Sequence, residues 1–218
     1  MLKIPHCGNT STITGTHKMT PSYTFIPSTD FINNLAFDYV ETYSFQRGSE
    51  YELQEKIFVE EYDKLKSRKS KQNDLTIEEE KRLSFLDKLC GSTQYLLDNS
   101  NQFHYSAKKT NTFSSTNSNV ELLKDILRTE INDVPAWMCA PIYRDGFVFY
   151  DNQDKIVSVL NVCLSCQYME TTKFNHINGD YITYDLLKRF FIDIGHDVED
   201  PEHYVLDDIN KLKSKNKK

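Results

Sequence analysis

The chain has 218 residues, which suits one ordinary domain and is long enough to bury a core without disulfide staples. Its formal net charge of -6, from 26 basic and 32 acidic side chains, argues against the basic face that nucleic-acid binding requires. No stretch approaches the roughly 20 apolar residues of a membrane span, and the first residues lack the apolar segment of a signal peptide. We therefore expect a cytoplasmic protein with no nucleic-acid or membrane partner.

The first two thirds of the chain predict a mainly helical region. Residues 1–30 are rich in Ser, Thr, Gly and Pro, and indicate a loosely ordered lead-in before the helical region, 31–131. Two pairs, Ser49 with Glu52 and Thr76 with Glu79, have the spacing of capping boxes. Each pair precedes apolar residues at helical spacing, namely Leu53, Ile57, Phe58, Tyr62 and Leu65, and then Leu83, Leu86 and Leu89. This pattern predicts an antiparallel helical hairpin across residues 49–98.

A second helical signal follows a polar segment. Residues 99–118 are rich in Ser, Thr and Asn, and are typical of a linker. Ser118 and Glu121 repeat the capping pattern before a short helix.

Residues 132–200 predict a second region, centred on a β-hairpin. Residues 146–150 and 156–163 are rich in β-branched and aromatic side chains, and a polar turn separates them. Beyond them, apolar residues at helical spacing predict a helix over 183–194, and residues 201–218 predict a short helix with a basic tail. We therefore predict one α+β domain, with an N-terminal helical hairpin and a C-terminal β-hairpin or small antiparallel sheet that helices cover.

Three of the five cysteines are predicted to converge at the open end of this hairpin. Cys163 and Cys166 form a C-x-x-C pair at the end of the second strand. If the turn centres near Gln153, antiparallel pairing places residues whose numbers sum to about 306 opposite each other, which brings Cys139 beside Cys166. Pro141 should end the ladder nearby, because it has no N–H to donate.

Three interpretations of this cluster remain open. As a metal site, Cys139, Cys163 and Cys166 would bind zinc with His176 as the fourth ligand, or more weakly His196 or the pair His6 and Cys7. As a redox site, Cys163 or Cys166 would attack, and the other or Cys139 would resolve the intermediate. The third interpretation is that all three are small buried core residues. A Cys–His hydrolase, with Cys163 or Cys139 as nucleophile and His176 or His196 as base, is a further alternative.

The leading functional hypothesis is a zinc-binding interaction protein in which the metal is structural. Trp137 is the only tryptophan, and with Met138 it could form a contact surface for a protein partner at the hairpin edge. The same pair could instead pack the hairpin onto a helix. A redox enzyme using Cys163 and Cys166, and a binding protein without metal, are the competing functions.

The segment 139–166 has a recognisable pattern: Cys-Ala-Pro, then the strand GFVFYD, a short turn, and VCLSC. It resembles a C-terminal module of uncharacterised bacterial proteins of the Bacteroidota type, with Cys-x-Pro, a similar strand and Cys-x-x-Cys. The resemblance supports a site at these cysteines, but it implies no reaction.

Overall fold

The computed structural model describes residues 24–72, 74–90, 95–98, 100–136, 141–171 and 175–208. Their centre is a mixed sheet of seven strands, so the predicted fold class, a helical hairpin with a small sheet, is wrong. Two of the strands, β2 (Tyr39–Phe45) and β3 (Ala107–Ser114), lie in the region that was predicted to be mainly helical. β3 was predicted as a linker because it is an edge strand, mostly exposed, and so lacks the apolar alternation of a half-buried strand.

The sheet also contains β1 (Thr24–Pro27), β4 (Asp145–Tyr150), β5 (Ile156–Cys163), β6 (Tyr168–Glu170) and β7 (Asn175–Asn178). The sheet order is β1-β7-β6-β5-β4-β2-β3. β1 runs parallel to β7, and all other neighbouring strands in the described sheet are antiparallel. The predicted hairpin of β4 and β5 is confirmed: Asp145 lies opposite Val162 and Tyr150 opposite Ile156, with one irregularity between Phe149 and Tyr150.

Helices cover one face of the sheet and bury the main core against it. They are α1 (Ser28–Asn33), α4 (Ser118–Leu127) and α5 (Tyr181–Asp193). Alternate residues of β4 and β5, such as Phe147, Phe149 and Leu160, are fully buried beneath Leu187 and Phe191 of α5. Because β4 is buried on both faces, its sequence has the continuous apolar run that identifies a central strand.

The opposite face carries a second, smaller core. Val148 and Val159 of the sheet pack there with Leu96 and Leu97. The helices α2 (Ser49–Lys71) and α3 (Ile77–Cys90) pack on each other around their own apolar cluster, and Tyr105 joins them to the sheet through contacts with Tyr51 and Phe58. Among the described helices, none combines the length and the apolar character needed to cross a membrane.

Local hydrogen bonds show why these helices begin where they do. The capping box of Thr76 and Glu79 is confirmed, because each side chain accepts a hydrogen bond from the other residue's backbone N–H, at 3.0 and 3.2 Å. The capping boxes predicted at Ser49 and Ser118 are wrong, because the cap of each helix is the residue before the predicted one. Helix α2 begins after Gly48, with φ of 94°, and α4 is capped by Asn117, whose side chain accepts a hydrogen bond from the N–H of Asn119.

Gly146 in the central strand has no room for a side chain. A Cβ atom there would lie 2.9 Å from the backbone carbonyl oxygen of Leu160 on β5. We expect Gly146→Ala to lower the free energy of unfolding by about 1–3 kcal/mol, because the paired strands must separate to relieve the overlap. Urea denaturation would measure this loss, and Val157→Thr, at an exposed position of β5, is the control. Equal stability of the alanine variant and the wild type would contradict the close packing of β4 on β5.

His104 should make the fold sensitive to acid. Its Nδ1 atom is 2.8 Å from the Ser106 hydroxyl, and its buried Nε2 atom has no hydrogen-bond partner among the described residues. Burial lowers the pKa of His104 from 6.5 to about 4, because the charged ring would lose its hydration. The unfolded chain therefore binds a proton that the folded chain does not, so stability should fall as the pH drops from about 6.5 towards 4.

Urea denaturation between pH 7 and pH 4.5 tests this expectation. The loss of stability on acidification should be smaller in His104→Gln than in the wild type. His203→Gln, at an exposed histidine, should keep the wild-type pH dependence. Identical pH profiles for wild type and His104→Gln would remove His104 as the cause.

Candidate functional site

The C-x-x-C pair lies in the turn that joins β5 to β6. Cys163 ends β5 and pairs with Tyr168, the first residue of β6. The residues between them, 164–167, form the turn, and Gln167 has a left-handed backbone with φ of 53°. We call residues 163–168 the thiol turn. Antiparallel pairing at its base holds both cysteines at one end of the sheet.

The two cysteines of this turn are in different chemical states. Cys166 is disulfide-bonded and half-buried, whereas Cys163 is a free thiol with 1% of its surface exposed. The Cys163 sulfur lies 3.5 Å from the hydroxyl of the exposed Ser165. Cys90 in α3 is a second free thiol, and Cys7 and Cys139 lie outside the described residues.

His176, the predicted fourth metal ligand, makes a close contact with a carboxylate. Its Nε2 atom lies 3.0 Å from Oε1 of Glu170, directly across the β6–β7 pairing, and its ring stacks on Phe25 at 4.9 Å between centroids. No group of three or more metal-ligating side chains occurs among the described residues. Cys139, Trp137 and Met138 lie outside those residues, so the zinc site and the contact surface stay predictions.

Glu170 is the centre of a buried polar cluster beside the thiol turn. Its Oε2 atom accepts hydrogen bonds from the hydroxyls of Tyr95, at 2.6 Å, and Tyr143, at 2.7 Å. Its backbone carbonyl accepts a bond from the side chain of Asn161, whose own oxygen accepts from the N–H of Leu96. With His176 on the other oxygen, this buried carboxylate is fully supplied with donors, as a charge with 3% exposure must be.

Two tyrosines near Cys163, Tyr143 and Tyr184, have raised pKa values. Burial, and then the hydrogen bond to Glu170, raise the pKa of Tyr143 above the usual tyrosine range, and the nearby Cys163 adds to the effect. Burial likewise raises the pKa of Tyr184 on α5, again with a contribution from Cys163. Both phenols therefore stay protonated at neutral pH.

A cleft of about 280 Å³ opens beside the thiol turn. Ser165 and Leu164 of the turn line it together with Tyr184 and residues of the C-terminal loop. Its cations are held by protein oxygens: Arg47 by Asp145 at 2.9 Å, Arg144 by Glu199 at 3.2 Å, and the Lys188 ammonium by backbone carbonyls of residues 200 and 203. The cleft therefore opens the turn to solvent without presenting a ready site for an anion.

Sequence analysis did not identify the residues that contact His176 and His196. His196 bonds through Nδ1 to Asp145 Oδ1 at 2.8 Å and through Nε2 to Thr110 Oγ1 at 2.7 Å. Neither Asp145 nor Thr110 lies in a recognisable motif, and only the sheet topology brings them together. Glu170 was missed for the same reason, although an acidic residue in a buried strand is a signal that could have been found.

Comparison with known proteins assigns the chain to no family. The chain matches no protein-family model, no curated protein and no solved structure. Function must therefore be argued from the residues themselves.

The two tyrosines that donate to Glu170, Tyr143 and Tyr95, should contribute unequally to the free energy of unfolding. Tyr143 is 2% exposed, whereas Tyr95 is half-buried and closer to water. We expect Tyr143→Phe to cost about 1–2 kcal/mol, because it removes a donor from a buried carboxylate that water cannot reach. Tyr95→Phe should cost less. Urea denaturation of both variants measures the difference, and a larger loss for Tyr95→Phe would contradict the assigned order of burial.

Proposed function

We propose that the protein is a thiol–disulfide exchange protein whose reactive centre is the thiol turn. The observation that supports this proposal is the presence of a disulfide-bonded cysteine and a free thiol in one short turn. A β-turn keeps residues i and i+3 within about 7 Å, which is close to the Cα separation that a disulfide requires. Cys163 and Cys166 are three residues apart, the C-x-x-C spacing that thiol–disulfide exchange sites use.

The different exposure of the two cysteines supports different roles. The half-buried Cys166 can be reached by the thiol of another molecule through the turn's open side, whereas the buried Cys163 can react only within the chain. Exchange requires a thiolate that attacks one sulfur of a disulfide. Cys166 is therefore the exchanging sulfur, and Cys163 is the internal attacking thiol.

The exchange step conserves electrons and needs no external oxidant. The Cys163 thiolate attacks Sγ of Cys166, a Cys163–Cys166 bond forms, and the sulfur formerly bonded to Cys166 leaves as a thiolate that takes up a proton. An external thiol such as glutathione can attack Cys166 in the same way and give a mixed disulfide. The Ser165 hydroxyl, 3.5 Å from the Cys163 sulfur, can donate a hydrogen bond to the attacking thiolate.

The strands on either side of the turn are held by buried hydrogen bonds, and this rigidity favours exchange at the turn. Asn161 and Glu170, paired across β5 and β6, hold the strands on either side of the turn through buried hydrogen bonds. The cleft beside Leu164 and Ser165 leaves one side of the turn open. A rigid base and an open tip favour attack at one sulfur without unfolding of the strands.

A zinc site remains the competing proposal, and it requires the reduced chain. A disulfide sulfur does not act as a thiolate ligand, so Cys166 could join Cys139, Cys163 and His176 around zinc only after reduction. The disulfide itself favours an oxidising compartment over the cytoplasm that the sequence predicts, because cytoplasmic thiols are kept reduced.

Disulfide mapping at defined redox potentials tests the exchange. The full-length chain is equilibrated with mixtures of reduced and oxidised glutathione, quenched with acid, alkylated, digested and analysed by mass spectrometry. We expect a Cys163–Cys166 disulfide beside the original bond of Cys166 at every potential at which the chain keeps a disulfide, because the exchange conserves electrons. Cys163→Ser should abolish this species and leave only the original bond of Cys166.

Cys90→Ser is the matched control, because Cys90 is a free cysteine in α3, far along the chain from the thiol turn. It should leave the exchange unchanged. A Cys166 that keeps one and the same partner at every potential at which it is oxidised would contradict the proposal. Stoichiometric zinc in the reduced protein, lost in Cys163→Ser, would favour the metal site instead.

A further inference from the structure

A hydrogen-bonded chain of a carboxylate, an imidazole and a hydroxyl begins at Asp145, the first residue of β4, which lies opposite Val162 of β5. Asp145 Oδ1 is 2.8 Å from Nδ1 of His196, and Nε2 of His196 is 2.7 Å from Oγ1 of Thr110. The carboxylate and the imidazole are buried, at 2% and 0% of their side-chain surfaces, whereas Thr110 is exposed on the edge strand. This is the order and spacing in which a base, oriented by a carboxylate, activates a hydroxyl nucleophile.

A β-bulge aims Thr110 at the histidine. Thr42 of β2 pairs with Asn111 and Tyr43 pairs with Lys109, so Thr110 is the extra residue of β3 with no partner in the ladder. Bulges of this kind redirect one side chain out of the regular alternation, and they are frequent beside active sites. Without the extra residue, the hydroxyl would follow the alternation of its neighbours along β3.

The end of helix α5 holds the histidine in place. Gly195 has φ of 89°, its N–H donates to the carbonyl of Ile192, and the N–H of His196 donates to the carbonyl of Phe191, both at 2.9 Å. These two bonds form a Schellman motif, which fixes the backbone of His196 just after the helix. The His196 ring then stacks on Phe191 with 4.8 Å between centroids.

The edge strand is tied to this helix end. The Asn111 side chain donates to the carbonyl of Ile194 at 3.1 Å, and it also donates to the Thr42 hydroxyl at 3.3 Å. The nucleophile and the base are therefore carried on backbone segments that a hydrogen bond links directly. Such a link preserves a short hydroxyl–imidazole distance, on which general-base catalysis depends.

The hydrogen bonds around Thr110 allow it to give its proton to the base. Thr110 Oγ1 lies 2.7 Å from the Thr42 hydroxyl, which can donate to it. The hydrogen of Thr110 has two acceptors within reach, the Thr42 carbonyl at 2.9 Å and His196 Nε2 at 2.7 Å, and activation by the base uses the second. In that arrangement Nδ1 of His196 carries a hydrogen and donates to Asp145, which Arg47 also contacts at 2.9 Å. The carboxylate thus selects the tautomer whose Nε2 is free to act as a base.

A hollow of about 440 Å³ lies next to these residues. Asn111 and Gly195, the immediate sequence neighbours of Thr110 and His196, form part of its wall. Its lining is mixed, with the apolar Phe113, Leu122, Phe190 and Ile194 beside the polar Asn119 and Asp193. A hollow of this composition can hold a small uncharged acyl group, whereas the Asp193 carboxylate disfavours an anionic one.

We propose that Asp145, His196 and Thr110 form a hydrolytic site for small uncharged carboxylic esters, with Thr110 as the nucleophile. The Thr110 oxygen bonds to the acyl carbon as its proton passes to Nε2 of His196, and the alcohol leaves with that proton. Water then gives a proton to His196 and its oxygen to the acyl carbon, and Thr110 regains the proton as the acid departs. The proposal does not rest on the thiol exchange, because none of its residues belongs to the thiol turn.

Labelling with a fluorophosphonate probe, followed by peptide mass spectrometry, tests the nucleophile, and hydrolysis of p-nitrophenyl butyrate tests the reaction. We expect an adduct on Thr110 in the wild type and on the serine in Thr110→Ser. Thr110→Val keeps the shape of the side chain but lacks the hydroxyl, so it should lose both the adduct and the hydrolysis. His196→Gln should slow both by about 100-fold or more, as the loss of a general base does.

Thr112→Val is the matched control, at an exposed threonine two positions farther along the same edge strand. It should be labelled and should hydrolyse the ester at the wild-type rate. The exposed position of Thr110 makes its valine variant safe to interpret even if His196→Gln fails to fold. An unlabelled Thr110 in the folded wild type, or hydrolysis unchanged in Thr110→Val, would overturn the proposal.

Discussion

Asp145 is the buried charge on which the arrangement of several elements depends. Its carboxylate accepts from Arg47, which follows β2, and from His196, which follows α5, while its own backbone begins β4. A carboxylate with 2% exposure is costly unless donors surround it, so these contacts cannot be lost singly without a large penalty. The same atom therefore fixes where α5 ends on the sheet and how the β2–α2 connection leaves it.

The thiol turn depends on a different buried carboxylate, Glu170. Its three side-chain partners come from separate parts of the chain, namely Tyr95, Tyr143 and His176. Two of these connect the strand β6 to segments that are not strands at all. The base of the turn is thereby held by hydrogen bonds, so the chemistry of its cysteines can change while the strands stay paired.

What could be predicted from the sequence was mostly what local pattern determines. The hairpin of β4 and β5 was found because both strands are apolar and a polar turn separates them. The capping-box spacing identified the box of Thr76 and Glu79, but the same spacing was one residue off at the starts of α2 and α4. β3 could not be found in this way, since its residues AKKTNTFS are polar and its strand character comes from pairing with β2. The same edge strand carries Thr110, so the failure to predict it also concealed one of the two proposed sites.

The two candidate sites differ in how much of each could be predicted from the sequence. Cys163 and Cys166 are close in sequence, so their spacing alone predicted a site, although the unequal exposure and bonding of the two cysteines needed the structure. Thr110, Asp145 and His196 come from an edge strand, a central strand and a helix end, and neither spacing nor residue type joins them. A bulge, a helix-ending glycine and one buried carboxylate bring them together, and each is a tertiary feature with only a weak local signal. The strand register decides which residues meet in such a site. A sequence-based prediction would therefore need the correct sheet topology before it could identify the site.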